Sequence, residues 1–383
     1  MESFESLLKR TLHAAHDPRF EAALRDCVNL QGAHPLSMRV HPGDQMLTHS
    51  LREHRDAGAA LSQYFNLSLQ QYDAVTQILH ALFAGRTDVD VLDFACGYGR
   101  LLRLLVTGMP RQRIFASELQ AEALAFVSEA FAVRGIASHI DPAQFEPGRR
   151  FDFIWVASLF THLPERLFHA WLGRLYALLK PGGVVCFSVR DCAQLGAGAQ
   201  LPRDGFLYRG ESENPDLEAS IYGTAYADEA FTMRAIHAVA GEDCKVRRLV
   251  RALANEQELY ILAADREHDF DALRGFRRGA WGWVDRRGLA RDGELYLEGW
   301  AGSQDEGAAT HVEIRIDGRV LSAPTGIARP DVQAVFGDER LAHSGWRIRE
   351  ALGGGGSHFV TVTSHAASGP PALLYAGEIS PVT

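Results

Sequence analysis

At 383 residues, 46% of them hydrophobic and 23% charged, the chain is long enough for two or three domains with separate cores. A net charge of −9 gives no general attraction to nucleic acid or to an anionic membrane. The basic runs Lys245–Arg251 and Arg274–Gly288 read as solvated faces and an inter-domain linker.

Five scattered cysteines (Cys27, Cys96, Cys186, Cys192, Cys244) lack CxxC spacing, which points to a reducing compartment and away from a disulfide framework or a cysteine zinc site. The opening MESFESLLKR carries Glu2 and Glu5 and no long apolar core, unlike a secretory leader. No apolar run reaches the roughly 18 residues of a membrane span. The expectation is a cytoplasmic protein with no nucleic-acid partner.

Residues 1–65 read as a polar, helical N-terminal cap, with Phe4, Leu7, Leu8 and Leu12 on one stripe. Residues 66–267 then alternate strands with helices. The strand runs are DVLDFAC, RIFASEL, IASHID, FDFIWVASLF and VVCFSVR. The helix after the second run is expected to stop at Gly135, and the one after the fourth at Pro181-Gly182-Gly183. Alternation of this kind predicts an α/β fold, a Rossmann-like, doubly wound parallel sheet. A linker over 268–279 leads to residues 280–383, where GELYLEGWA, HVEIRIDGRVL and HFVTVTSH alternate apolar and polar positions between Gly- and Asp-rich turns. That region is expected to be an all-β sandwich.

The junction VLDFACGYGRLLRLL concentrates the chemistry. Gly97 and Gly99 follow a short apolar strand and open a helix, where backbone can approach a ligand and free N–H groups can meet an anion. Glu118 closes the next strand about twenty residues further on, the place of an acid that binds ribose hydroxyls. Both features suit a dinucleotide or any adenosine-containing cofactor. The third glycine of the dinucleotide fingerprint is replaced by Leu102, and Asp93 would repel a diphosphate but attract an ammonium group. A dehydrogenase is therefore disfavoured.

With those residues in view, the run Asp93-Phe94-Ala95-Cys96-Gly97-Tyr98-Gly99 resembles the first motif, D-x-G-x-G-x-G, of class I S-adenosylmethionine-dependent methyltransferases, with Ala95 in place of the first glycine. The segments IFASELQAEAL, FDFIWVASLFTHLPERL and LLKPGGVVCFSV are similar to later motifs of that family, in order, over Val91 to Val189. The resemblance implies S-adenosylmethionine as cofactor. It assigns Asp93, Gly97 and Gly99 to the methionine end, Ala95 to cofactor binding beside them, Glu118 to the ribose and Leu119 to the adenine. Asp141 stands as a candidate for the adenine amino group or as a turn acid before Pro142. Ser158 and Leu159 would line the cleft, and Arg100 is either a cap on the site or a solvated helix residue.

Methyl transfer is an in-line displacement in which positioning supplies much of the rate, and a hydroxyl acceptor gains further from a base. His162, Asp191 and Tyr222 are the candidates for that base, with His162 first because neutral imidazole is available near pH 7. The pairs His13/His16 and His49/His54 have loose metal spacing without an acidic third ligand, so no metal is expected.

HPGDQM…QYFNLSLQQYDAV and IYGTAYADEAF…NEQELYILAAD look like bacterial methyltransferases of surface-polysaccharide and glycan pathways. The C-terminal region resembles β modules appended to bacterial glycosyltransferases, through Gly299-Trp300-Ala301, Asp317-Gly318 and Arg329-Pro330-Asp331-Val332. These resemblances imply a sugar or other small-molecule acceptor, an O-methylation, and a glycan-pathway protein as partner of the C-terminal region. The alternatives are a methyltransferase of secondary metabolism and a non-catalytic cofactor-binding scaffold whose β module binds glycan or protein. The N-terminal helices are expected to cover the cleft. The Trp and Tyr residues of the β region belong either to its core or to a surface that stacks on sugars.

Overall fold

The computed structural model describes residues 2–28, 30, 35–195, 200–211, 217–353 and 356–381. Four helices come first: α1 (Phe4–Ala14), α2 (Pro18–Asp26), α3 (Gln45–His54) and the long α4 (Ala57–Phe83). The first three begin at side-chain caps, with Ser3, Asp17 and Asp44 accepting from backbone N–H groups of the first turn.

The α/β region follows: β1 (Val91–Phe94), α5 (Leu102–Gly108), β2 (Ile114–Glu118), α6 (Ala121–Phe131), β3 (Arg134–Ala137), β4 (Phe151–Val156), α7 (Glu165–Ala177) and β5 (Leu179–Val189). Next come a hairpin, β6 (Phe206–Arg209) with β7 (Thr224–Ala227), then α8 (Glu229–Ala240), β8 (Val246–Leu253) and β9 (Gln257–Ala263). Seven strands form one sheet in the order β3-β2-β1-β4-β5-β9-β8. The first five run parallel and β9 runs antiparallel to β5. Strands β1 and β4 are buried throughout, as parallel strands covered on both faces must be. The strand order reverses at β1/β4, and in open α/β sheets ligands bind beyond the carboxyl ends of the strands at such a switch point.

Two local expectations shift. Helix α6 ends at Ala132 in the left-handed conformation (φ 53°), and Gly135 lies inside β3. A Cβ at Gly135 would sit 2.4 Å from Ser128 Oγ, so this glycine serves close packing of strand on helix instead of stopping the helix. Helix α7 likewise ends before Pro181, and Lys180–Gly183 form a bulge inside β5, where the pairing with β4 changes register.

The C-terminal region holds β10 (Trp281–Leu289), β11 (Glu294–Ser303), β12 (Gly307–Ala308), β13 (His311–Ile316) and β14 (Arg319–Pro324). It continues with α9 (Pro330–Phe336), β15 (Gly345–Ala351), β16 (His358–His365) and β17 (Ala372–Ile379). They make two four-stranded sheets, one of β10, β11, β12 and β15, the other in the order β14-β13-β16-β17. Leu295 and Leu297 from the first share a core with Val312, Ile314, Val360 and Val362 from the second. The residues behind the C-terminal resemblance shape this fold. A Cβ at Gly299 would fall 1.9 Å from Trp283 O, Asp317 and Gly318 turn with positive φ, and Arg329 bridges Asp285 and Asp331 at 2.6 Å each.

The chain divides into two compact units, one of residues 1–31, 38–70 and 277–383, the other of 32–37 and 71–276. The N-terminal helices, expected as a cap on the α/β core, thus share a unit with the β-rich region. The cause is close backbone approach. Gly58 of α4 lets Tyr375 and Ala376 of β17 come within 3 Å of where its Cβ would be, and Ala376 N donates to Ser62 Oγ at 2.7 Å. Arg19 lies 4.3 Å over the Phe359 ring, and Arg287 pairs with Asp56 at 3.0 Å.

Candidate active site

The loop after β1 carries three left-handed residues, Ala95 (φ 56°), Gly97 (φ 54°) and Gly99 (φ 77°). Their roles differ. A Cβ at Gly97 would meet no atom within 4 Å, which leaves its backbone open to a ligand. A Cβ at Gly99 would lie 2.5 Å from Phe131 Cε2, so Gly99 is needed for packing against α6. Ala95 adopts the left-handed conformation with a methyl group, at a cost of about 1 kcal/mol.

Glu118, at the end of β2, is already well occupied. One carboxylate oxygen accepts from Gly97 N at 2.8 Å, the other from Leu119 N at 2.7 Å and Gln120 N at 3.1 Å. A carboxylate offers about four lone-pair positions, so at most one remains for a ribose hydroxyl. Beyond the ribose role expected of it, Glu118 ties the glycine loop to β2.

Asp93 is buried near the end of β1, at 4% exposure. Burial and the neighbouring Glu118 carboxylate push its pKa up to about 8, against a smaller opposing pull from Arg100. A carboxyl group held this way is matched by a cation brought from outside, such as the α-ammonium of an amino acid. Leu119 after β2 and Ile140 after β3 are large apolar side chains left exposed at neighbouring strand ends. Nothing in the sequence singled out Ile140. Asp141 caps a turn, accepting from Ala143 N at 3.0 Å and Gln144 Nε2 at 3.4 Å.

At the end of β4, Ser158 is left-handed (φ 61°) and held by two side chains, Ser188 and Gln257, that also bond to each other. Its N–H donates to Ser188 Oγ at 2.8 Å, and Gln257 Nε2 donates to its Oγ at 3.1 Å, while Ser188 Oγ donates to Gln257 Oε1 at 2.7 Å. Sequence reasoning missed Ser188 and Gln257. A polar residue opening the apolar run of β9 was the signal for Gln257. Leu159 is half-buried and packs on the sheet core.

His162 and Tyr222, sixty residues apart, come together with rings stacked at 4.6 Å and 10°. His162 Nδ1 lies 2.6 Å from Gly223 O, and Gly223 N donates to His162 O at 2.8 Å. Nδ1 must carry the proton in that bond, which makes Nε2 the basic nitrogen of a neutral ring. The β6–β7 hairpin is held over this end of the sheet by Ala225 N to Thr161 O (2.8 Å) and Ala227 N to Arg190 O (2.9 Å). Asp191 turns instead to Arg248, 3.9 Å away, in a cluster that includes Glu229 and Glu258.

Among the described residues no group of three or more His, Cys, Asp or Glu is arranged to hold a metal. His54, one of the spaced histidines, has Nε2 3.1 Å from Gln63 Oε1 and its ring 5.0 Å from Trp283. Among the same residues no helix is long and apolar enough to cross a membrane.

Residues 91–183 match the family model of a methyltransferase domain. The matched stretch lies within the α/β unit. The match takes in the Asp93–Gly99 loop, Glu118, Ser158 and His162. Similar solved structures include DesVI from Streptomyces venezuelae (16% identity, 54% of this chain and 94% of that one, TM-score 0.40). CalS10, an amino pentose methyltransferase from Micromonospora echinaspora, shares 17% identity over 51% of this chain and 91% of its own, with TM-score 0.39. Magnesium protoporphyrin IX methyltransferase from Synechocystis PCC 6803 shares 11% over 53% and 86%, with TM-score 0.36. No curated protein sequence matches the chain.

Proposed function

We propose that the domain transfers a methyl group to a hydroxyl of a sugar or glycan precursor, with His162 as the base. Bound S-adenosylmethionine supplies an electrophilic methyl group on a sulfonium sulfur. In this reading Asp93 holds the ammonium of the methionine end, and the backbone of Gly97 lies against it. Glu118 takes one ribose hydroxyl, and Leu119 and Ile140 cover the adenine, with Asp141 at its edge. Ser158 and Leu159 border the methyl group.

The observation that carries the proposal is the fixed tautomer of His162. Its Nδ1 is committed to Gly223 O at 2.6 Å, so Nε2 is the ring nitrogen that takes the proton of an acceptor hydroxyl as the methyl–sulfur bond breaks and the new C–O bond forms. Tyr222, stacked on the ring, keeps the imidazole plane in place. Sugar hydroxyls are poor nucleophiles when protonated, and a positioned base answers that need. Unpaired cysteines, buried at Cys27 and Cys186, suit a reducing compartment and support a cytoplasmic reaction.

The test is methyl transfer from labelled S-adenosylmethionine to a panel of nucleotide sugars and oligosaccharides. His162→Ala should lower kcat about 10²–10⁴-fold, with S-adenosylhomocysteine affinity within twofold of wild type. Methylation confined to amines or non-carbohydrate metabolites would overturn the acceptor assignment. Unchanged kcat in His162→Ala would remove the base.

A further inference from the structure

We propose that the β-rich unit carries a second, non-catalytic site for a neutral saccharide, with Tyr296 as its platform. A hollow of about 440 Å³ lies in this unit, bordered by Asp56, Asp285, Arg287, Gly288, Tyr296 and Glu378. That volume is in the range of small-ligand sites.

Tyr296 is built as a platform. In β11 its neighbours Leu295 and Leu297 are fully buried, so Tyr296 points to the outer face, where it is 37% exposed. Directly across from it in β10 stands Gly288. A Cβ at that glycine would lie 2.5 Å from Tyr296 Cε1 and 2.9 Å from its Oη. The ring therefore fills the place of the missing side chain and is pinned against the strand. A large aromatic side chain fixed this way loses little freedom on binding and keeps an apolar surface in water. The C–H face of a pyranose is its natural complement.

Charge selects the ligand class. Asp56 pairs with Arg287 at 3.0 Å, Asp285 with Arg329 at 2.6 Å, Glu378 with Arg19 at 3.1 Å, and Arg286 with Glu298 at 3.4 Å. An anion would meet three carboxylates and arginines already engaged. A cation would meet carboxylates already neutralised. What remains is hydrogen-bonding capacity at oriented oxygens and N–H groups, which hydroxyls satisfy as both donors and acceptors. Tyr375 fixes one of these groups, its buried ring 4.8 Å beneath the Arg287 guanidinium. A neutral, hydroxyl-rich ring with one apolar face meets all of these conditions. The site is independent of the transferase reading, whose residues belong to the other unit.

The experiment is saturation-transfer NMR on the full chain. The probes are the methyl glycosides of glucose, galactose, mannose, rhamnose and N-acetylglucosamine, together with maltotriose and cellotriose. Glucuronate and inorganic phosphate serve as charged controls. At least one neutral saccharide should show transfer to its ring C–H protons. Its affinity should fall at least tenfold in Tyr296→Ala, recover in Tyr296→Trp, and stay within twofold in Asp93→Ala. Tyr296→Leu, which keeps apolar bulk over Gly288 without a flat face, should show the same loss and covers the case in which Tyr296→Ala fails to fold. Absence of transfer to every neutral saccharide would overturn the proposal. So would tighter binding of glucuronate or phosphate, or wild-type affinity in the folded Tyr296 variants lacking a ring.

Discussion

Asp90 and Asp93 stand three residues apart at the two ends of one buried strand, and their surroundings treat them in opposite ways. Both side chains are nearly inaccessible, at 2% and 4% exposure. Around Asp90, Lys180 (2.8 Å), Arg113 (2.9 Å) and Arg149 (3.1 Å) converge, and Lys180 also reaches Asp152 at 2.7 Å. Burial works against the Asp90 charge, but Lys180 and Arg113 outweigh it and hold the carboxyl below its usual range. Around Asp93 no cation stands within ion-pair distance among the described residues, and burial beside Glu118 pushes it up to about 8. The contrast separates two uses of a buried acid. One closes the amino end of the sheet with its own counter-ions, and the other, in the proposed function, meets at the carboxyl end a cation brought by the ligand.

Four substitutions or conditions break or sharpen that comparison. Asp90→Ala strips the counter-charge from three basic groups and should cost about 3 kcal/mol of stability, read as a lower urea midpoint at pH 7. Asp93→Asn should do the reverse. Its carboxyl has a folded pKa of about 8, against 3.8 for an ordinary aspartate. Over that window the folded chain holds a proton that the unfolded chain has released, so wild-type stability declines as pH rises. Asp93→Asn should therefore match wild type below pH 4 and exceed it by on the order of 1–3 kcal/mol above pH 8. Paired thermal melts at pH 4 and pH 8.5 check this. A third test concerns the ligand itself. S-adenosylhomocysteine affinity should rise up to about tenfold per unit between pH 6 and pH 8, because Asp93 must release its proton to face an ammonium group. Calorimetry in buffers of different ionisation enthalpy would read that proton. The smallest effect belongs to Ala95→Gly. Relief of left-handed strain against the greater freedom of unfolded glycine should keep stability within about 1 kcal/mol of wild type.

The alternation of apolar runs and helical stripes made the parallel sheet legible, because strands buried on both faces can tolerate little but apolar residues. VLDF and FDFIWV illustrate it, with Asp93 and Asp152 as the polar exceptions. Asp93 and Glu118 were visible from spacing to the glycine turn. What stayed hidden was assembled through space. Gln257 meets Ser158 across 99 residues, and His162 meets Gly223 across 61, by way of strand pairings that no local pattern encodes. Asp191 stood behind His162 as a candidate base, and nothing local announced that Arg248 lies 3.9 Å from it. The grouping of the N-terminal helices with the β-rich region rests in part on Gly58 and Ser62 of α4 meeting β17, and a small residue in a helix announces no partner.

The most direct test of the central claim is calorimetric titration of the full chain with S-adenosylhomocysteine, beside Asp93→Ala and Glu118→Ala. Wild type is expected to bind with micromolar affinity, weakened at least tenfold in both variants. Asp93→Ala should also abolish the proton release on binding at pH 7. Wild-type chain that binds nothing, or variants that bind as tightly as wild type, would contradict the claim.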